Sequence, residues 1–140
     1  MSLTHTDAVA NLIADAVGTA FDGGTGRLSI FTGAPVGAAV AQSGTELARF
    51  SLPSDAFAAA SSRAAALNAV SNVTALAGGT AASFVFWRTG DTAITSGAGG
   101  SDRRIGGTVA TSSGDMTIDN ATIVSGGTMV LSAWSWVAPS

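Results

Sequence analysis

Thr80-Ala81-Ala82-Ser83-Phe84-Val85-Phe86-Trp87-Arg88-Thr89 is the stretch on which the fold turns. Successive side chains of an extended chain point to opposite sides, so Phe84 and Phe86 share one face and Val85 and Trp87 the other. A run that is apolar on both faces needs cover on both, which predicts a buried strand. Upstream, Arg27-Leu28-Ser29-Ile30-Phe31-Thr32 alternates with Leu28 and Ile30 on one side and breaks at Gly33-Ala34-Pro35. Glu46-Leu47-Ala48-Arg49-Phe50-Ser51-Leu52 sends Phe50 and Leu52 to one side and Leu47 to the other, and ends at Pro53. Further strand candidates are residues 65–71, 105–111, 115–119 and 128–137. Short apolar runs punctuated by turn residues about every 8–12 positions indicate a sandwich or barrel rather than βαβ units. Phe84, Phe86, Trp87, Leu131 and Trp134 are the expected core.

One segment has the other period. Val9, Leu12, Ile13, Ala16, Val17 and Ala20 form an apolar stripe at helical spacing, and Asp7, Asn11, Asp15 and Asp22 fall away from it. Thr4 or Thr6 caps the start, and Gly23-Gly24 stops the helix. The stripe is expected to pack on the domain's own sheet; the other reading makes it a partner-docking element. The predicted fold is therefore mainly β: one domain over residues 1–140, with an arm at 1–5, an N-terminal α-helix at 6–22 and an antiparallel β-sandwich at 27–138 with jelly-roll or Greek-key-like connections.

Composition narrows the chemistry. Of 140 residues only 15 are charged: six Arg, eight Asp and one Glu, with no Lys. A net charge of −3 without a cationic cluster argues against nucleic acid as a partner. No Cys means no disulfide and no thiolate metal site, and His5 is the single His, so neither a Ser/His/Asp triad nor a His-rich metal centre can be assembled. No catalytic residue, metal or cofactor is expected; were an ion held, calcium on Asp-bearing turns would suit best. The uncharged run 64–87 is interrupted by Asn68, Asn72 and Gly78-Gly79, so no membrane partner is expected and the chain reads as water-soluble. Gly23-Gly24-Thr25-Gly26 follows a helix and precedes a strand, the reverse of a phosphate-cradling loop. Asp115 and Asp119 bracket a predicted strand and read as turn residues rather than a convergent pair of acids.

The order of motifs carries a resemblance. Asp22-Gly23-Gly24-Thr25-Gly26 after an Ala-rich helix, then Arg27 to Pro35, Glu46 to Pro53 with Ala56-Phe57, Ala82 to Arg88, Asp115-Met116-Thr117-Ile118-Asp119, and Ile123-Val124-Ser125-Gly126-Gly127-Thr128 span nearly the whole chain. This series resembles a family of small tailed-bacteriophage and prophage proteins that are virion components. Its motifs describe turns and strand starts, so they carry over no catalytic residue. The segment 96–104 is richer in Gly than that pattern. The resemblance implies a virion structural protein, made in the host bacterial cytoplasm. The leading expectation is a capsid decoration (cement) protein on the outer face of the major capsid protein. It would act as a homo-oligomer, a trimer, and stabilise the head. The alternatives are a tail-tip or fibre-associated protein, a carbohydrate-binding module using Trp87, Trp134 and Trp136, and a small hydrolase using Asp residues.

Contact candidates follow from low charge. The charge-free loop 33–44 offers Pro35, Val36 and Val40, the N-terminal arm offers Leu3, and Trp136 lies near the end of the chain. Arg103 and Arg104, the one adjacent pair of cations, could reach acidic groups on a neighbour from the loop 91–104.

Overall fold

A computed structural model describes residues 4–131 and 133–138. Its centre is the longest strand, β5 (Gly79–Arg88), as its two apolar faces require. The other elements are α1 (Asp7–Thr19), β1 (Gly26–Thr32), β2 (Glu46–Ser51), β3 (Ala64–Ala66), β4 (Val73–Thr74), β6 (Ile105–Ala110), β7 (Met116–Thr117), β8 (Thr122–Ile123), β9 (Thr128–Met129) and β10 (Ser135–Val137). The main sheet runs β2-β1-β5-β6-β7, with β8 paired to the start of β5; β10-β3 and β4-β9 are two-stranded pairs. Among the described residues the fold is mainly β with one helix.

Sheet register explains which side chains enter the core. Leu28 faces Phe86 and Ile30 faces Phe84 across the β1–β5 ladder. Leu28, Ile30, Phe84 and Phe86 join Phe21, Phe50 and Phe57 in the main buried cluster, while Phe31, Val85, Trp87 and Ile94 form a second cluster. The two parities of β5 thus serve two separate cores, as the alternation predicts. Leu47 departs from its expected side. A register shift between Ile30 and Phe31 bulges β2, so Leu47 lies in the main cluster together with Ala48 and Phe50. Of the other expected core residues, Leu131 and Trp134 are partly buried against that cluster.

Three further expectations need correction. The sheets are not antiparallel throughout, because β7 runs parallel to β6 over Val109↔Met116 and Ala110↔Thr117. A side-chain clamp turns the chain back there. Asp115 Oδ2 accepts from Thr108 N (2.9 Å) and Thr108 Oγ1 (2.8 Å), while Asp115 N donates to Thr108 Oγ1 (3.0 Å). Residues 128–137 are two short strands in different sheets, because between them Trp134 turns inward and donates from Nε1 to Asp115 O at 2.9 Å. The helix covers Asp7–Thr19, three residues short of the predicted end, since Asp22 Oδ1 accepts from Ala56 N (2.8 Å) and Gly23 N donates to Ser54 O (2.8 Å). Gly23 and Gly24 then take φ of +88° and +78°, the left-handed region that glycine enters without strain.

The orientation of α1 is the largest departure. Ala10, Ala14 and Gly18 face the domain, and a Cβ at Gly18 would lie 3.1 Å from Phe57 Cβ, so the helix sits close through small residues. Its polar side also turns inward. Asn11 Oδ1 accepts from Arg63 N (2.8 Å) and Asp15 Oδ1 from Ala60 N (2.6 Å), satisfying backbone donors of a segment with little ladder of its own. Val9, Leu12 and Ile13, three residues of the predicted packing stripe, are 44%, 69% and 38% exposed, whereas Val17 and Ala20 of the same stripe pack against the main core as expected. Asp15→Ala is expected to cost about 1–3 kcal/mol by leaving the Ala60 N–H unpaired, whereas Asp15→Asn, which keeps the acceptor, should cost less. Urea midpoints of the two variants check this, and equal midpoints would refute the assignment.

Candidate interaction surface

Two long segments, residues 33–44 and 91–104, meet over the second cluster. Ile94 is buried with Phe31, Val85 and Trp87. Gln42 N donates to Ile94 O (2.8 Å) and Ala98 N to Ala39 O (2.9 Å), so the segments brace each other. Gln42 Nε2 also donates to Gly37 O (3.2 Å) and Val40 O (3.1 Å), holding the first loop in shape. Pro35, Val36 and Val40 are left exposed on this braced loop.

The second loop is organised by charge. Arg104 Nη1 donates to Ser96 O (3.1 Å), and Nη2 donates to Thr92 O (2.8 Å) and Ala93 O (3.1 Å). Asp102 Oδ2 lies 3.8 Å from that guanidinium, whose side chain is only 2% exposed. Asp102 also accepts from Gly99 N (2.7 Å) and Thr92 N (3.1 Å). The Gly99 N–H first, then the Thr92 side chain, hold its carboxyl below the ordinary carboxylate range. Asp91, bonded to Arg88 and accepting from Arg103 N at 2.9 Å, is likewise lowered, chiefly by the Arg88 bond. Asp115 is lowered by the Thr108 donors.

A group more acidic in the folded than in the unfolded chain stabilises the fold above its unfolded pKa and stops doing so as pH falls through its folded value. Stability is therefore expected to be flat from neutrality to about pH 5 and to fall below about pH 4. Asp102→Asn should remove part of that fall. Urea midpoints against pH check it, and a midpoint that rises on acidification would refute it.

The contact candidates do not all gather on this surface. Arg103 is exposed here, but Arg104 turns inward as the loop's staple, so the two do not form a shared cationic tip. Trp136 is half-buried on β10 against the main core, with Nε1 enclosed and lacking an acceptor among the described residues. Leu3 lies outside the described residues. The tryptophans do not make one aromatic platform. Trp87 is buried in the second cluster and donates from Nε1 to Ser29 Oγ (2.9 Å), with Arg49 5.2 Å from its ring centre, whereas Trp134 packs 4.8 Å from Phe86 in the main core.

Two apolar surfaces lie outside the residues named as contact candidates. One is the outward face of α1. The other surrounds a half-open cleft of about 350 Å³ lined by Ile118, Asp119, Ile123 and Met129, with Val124 and Val130 exposed in its wall. A signal for the first does exist in the sequence: Ala10, Ala14 and Gly18 recur every four residues and mark a second, close-packing side of the helix. Among the described residues no group of three or more His, Cys, Asp or Glu is placed to hold a metal ion, and no helix is long and apolar enough to cross a membrane. Comparison of the chain with protein-family models, curated proteins and solved structures finds no match in any of the three.

Proposed function

We propose that the chain is a virion structural protein, a capsid decoration (cement) protein that binds the outer face of the major capsid protein as a homo-oligomer, a trimer. The observation that carries this reading is the spread of exposed large apolar side chains over separate surfaces: Val36 and Val40 on the braced loop, Val124 and Val130 at the cleft, and Val9, Leu12 and Ile13 on α1. A chain with 15 charged residues that leaves such side chains outside is suited to neighbours on several sides. Symmetric repetition lets modest contacts of this kind hold a shell. The small β10-β3 and β4-β9 pairs contribute to the same core as the main sheet, which supports reading the fold as a sandwich with Greek-key-like connections.

Mass spectrometry of particles from the bacterium that encodes the chain, with heads and tails separated, tests this. The protein is expected in the heads at high copy number. Recovery with the tails would favour the tail-tip or fibre-associated alternative, and absence from particles would end the virion reading.

A further inference from the structure

We infer that the outward face of α1 is a docking surface for a cationic amphipathic segment of a partner protein, with apolar side chains on Val9, Leu12 and Ile13 and Lys or Arg side chains on Asp15, Asp22 and Asp55. This goes beyond the virion reading, since the surface would take such a segment wherever it occurs. The helix is fixed to its domain through Ala10, Ala14, Gly18, Asn11 and Asp15, so the exposed stripe is a consequence of specific docking. Positions three and four apart share a side of a helix, which makes Val9, Leu12 and Ile13 one continuous apolar row. A single exposed leucine is ordinary; a row of this kind marks a contact site.

Charge complementarity names the occupant. Asp15 and Thr19 are three and seven residues beyond Leu12, so they border its side of the helix, and both line a cleft of about 280 Å³ beside the stripe. Asp22 and Asp55 line the same cleft. Asp15 and Asp22 each use Oδ1 on a backbone N–H, leaving the second oxygen for a ligand. None of the three carboxylates is in an ion pair among the described residues, and α1 contains no Lys or Arg. The carboxylates are not grouped to hold a metal ion, which leaves side-chain cations as their complement. A second copy of this chain supplies them poorly. It has no Lys; Arg49, Arg63, Arg88 and Arg104 already pair with Glu46, Asp7, Asp91 and Asp102, and Arg27 donates to its own Gly24 O and Gly26 O, which leaves Arg103 as the one cation outside such bonds among the described residues. An anionic lipid surface would be repelled by the same carboxylates.

The test titrates the intact protein with a fluorescent amphipathic helical peptide of Leu and Lys, its Leu and Glu counterpart, and phosphatidylcholine vesicles with and without phosphatidylglycerol. The Leu/Lys peptide is expected to bind, and to bind more weakly as salt rises. Leu12→Asp should weaken it at least about tenfold, the loss that follows from keeping one leucine out of an apolar contact. Its thermal midpoint should be unchanged because Leu12 is exposed. Asp55→Asn, whose carboxylate makes no hydrogen bond among the described residues, should weaken binding about threefold with the fold untouched. No binding of the Leu/Lys peptide, equal binding of the Leu/Glu peptide, or indifference to both variants would overturn the inference. So would preferential binding to vesicles, or self-association of the free chain that Leu12→Asp abolishes.

Discussion

Phe86→Ala is expected to lower stability by about 3–5 kcal/mol, the range for deleting a fully buried ring. Phe86 is 0% exposed and pairs across the sheet with Leu28 and Ile105. Its ring centre lies 5.9 Å from those of Phe21 and Phe57, 5.7 Å from Phe84 and 4.8 Å from Trp134. Phe84 belongs to the same strand, while Phe21, Phe57 and Trp134 come from separate parts of the chain, and each is held by further contacts. They cannot all move in to fill the space, so the cost should include most of the cavity term. Urea denaturation would show the midpoint shifted at an unchanged slope. A midpoint equal to that of the parent would mean that the central strand is misplaced.

Gly44→Ala is expected to cost about 3 kcal/mol, the upper part of the range for overpacking. A Cβ at Gly44 would overlap the backbone oxygen of Thr32. That oxygen cannot yield easily, because Thr32 N donates to Thr45 O (3.0 Å) and Thr45 N donates to Thr32 Oγ1 (2.9 Å), pinning the loop's end to β1. Gly90 provides the control. Nothing lies within 4 Å of the corresponding Cβ position, so Gly90→Ala should stay within about 0.5 kcal/mol of the parent. Similar midpoints for the two variants would show that the loop 33–44 leaves β1 differently.

The parts of the fold legible in sequence are those set by side-chain size and alternation. Phe84/Phe86 against Val85/Trp87, and Leu28 with Ile30, place the central strands because a pleated chain has only two faces to give them. What stays hidden is set by local hydrogen bonds. The parallel β7 follows from the Thr108–Asp115 clamp, and the split of residues 128–137 from one indole turning toward Asp115 O. Leu47 changes side because of a bulge, which alternation cannot register. The helix misleads for a related reason. Its stripe of large apolar residues is unmistakable, yet alanine and glycine permit closer approach, and Asn11 and Asp15 satisfy backbone donors that the stripe could not.

The candidate surface divides the same way. Absence of charge flags Pro35, Val36 and Val40, which are exposed, but adjacency in sequence cannot reveal that Arg104 turns inward while Arg103 turns out.

The orientation of α1 is the claim on which the docking inference stands, and the chain's lack of cysteine makes it directly measurable. Single Leu12→Cys and Ala14→Cys variants, two residues apart on one helix, report opposite sides of it. Reaction with a maleimide or a disulfide reagent under native conditions should label Cys at position 12 at the rate of an unhindered thiol. Position 14, which is 0% exposed, should react at least about a hundredfold more slowly, limited by opening of the fold. Fast labelling at position 14 with protection at position 12 would mean that the apolar stripe packs inward and the polar side faces solvent, contradicting the account.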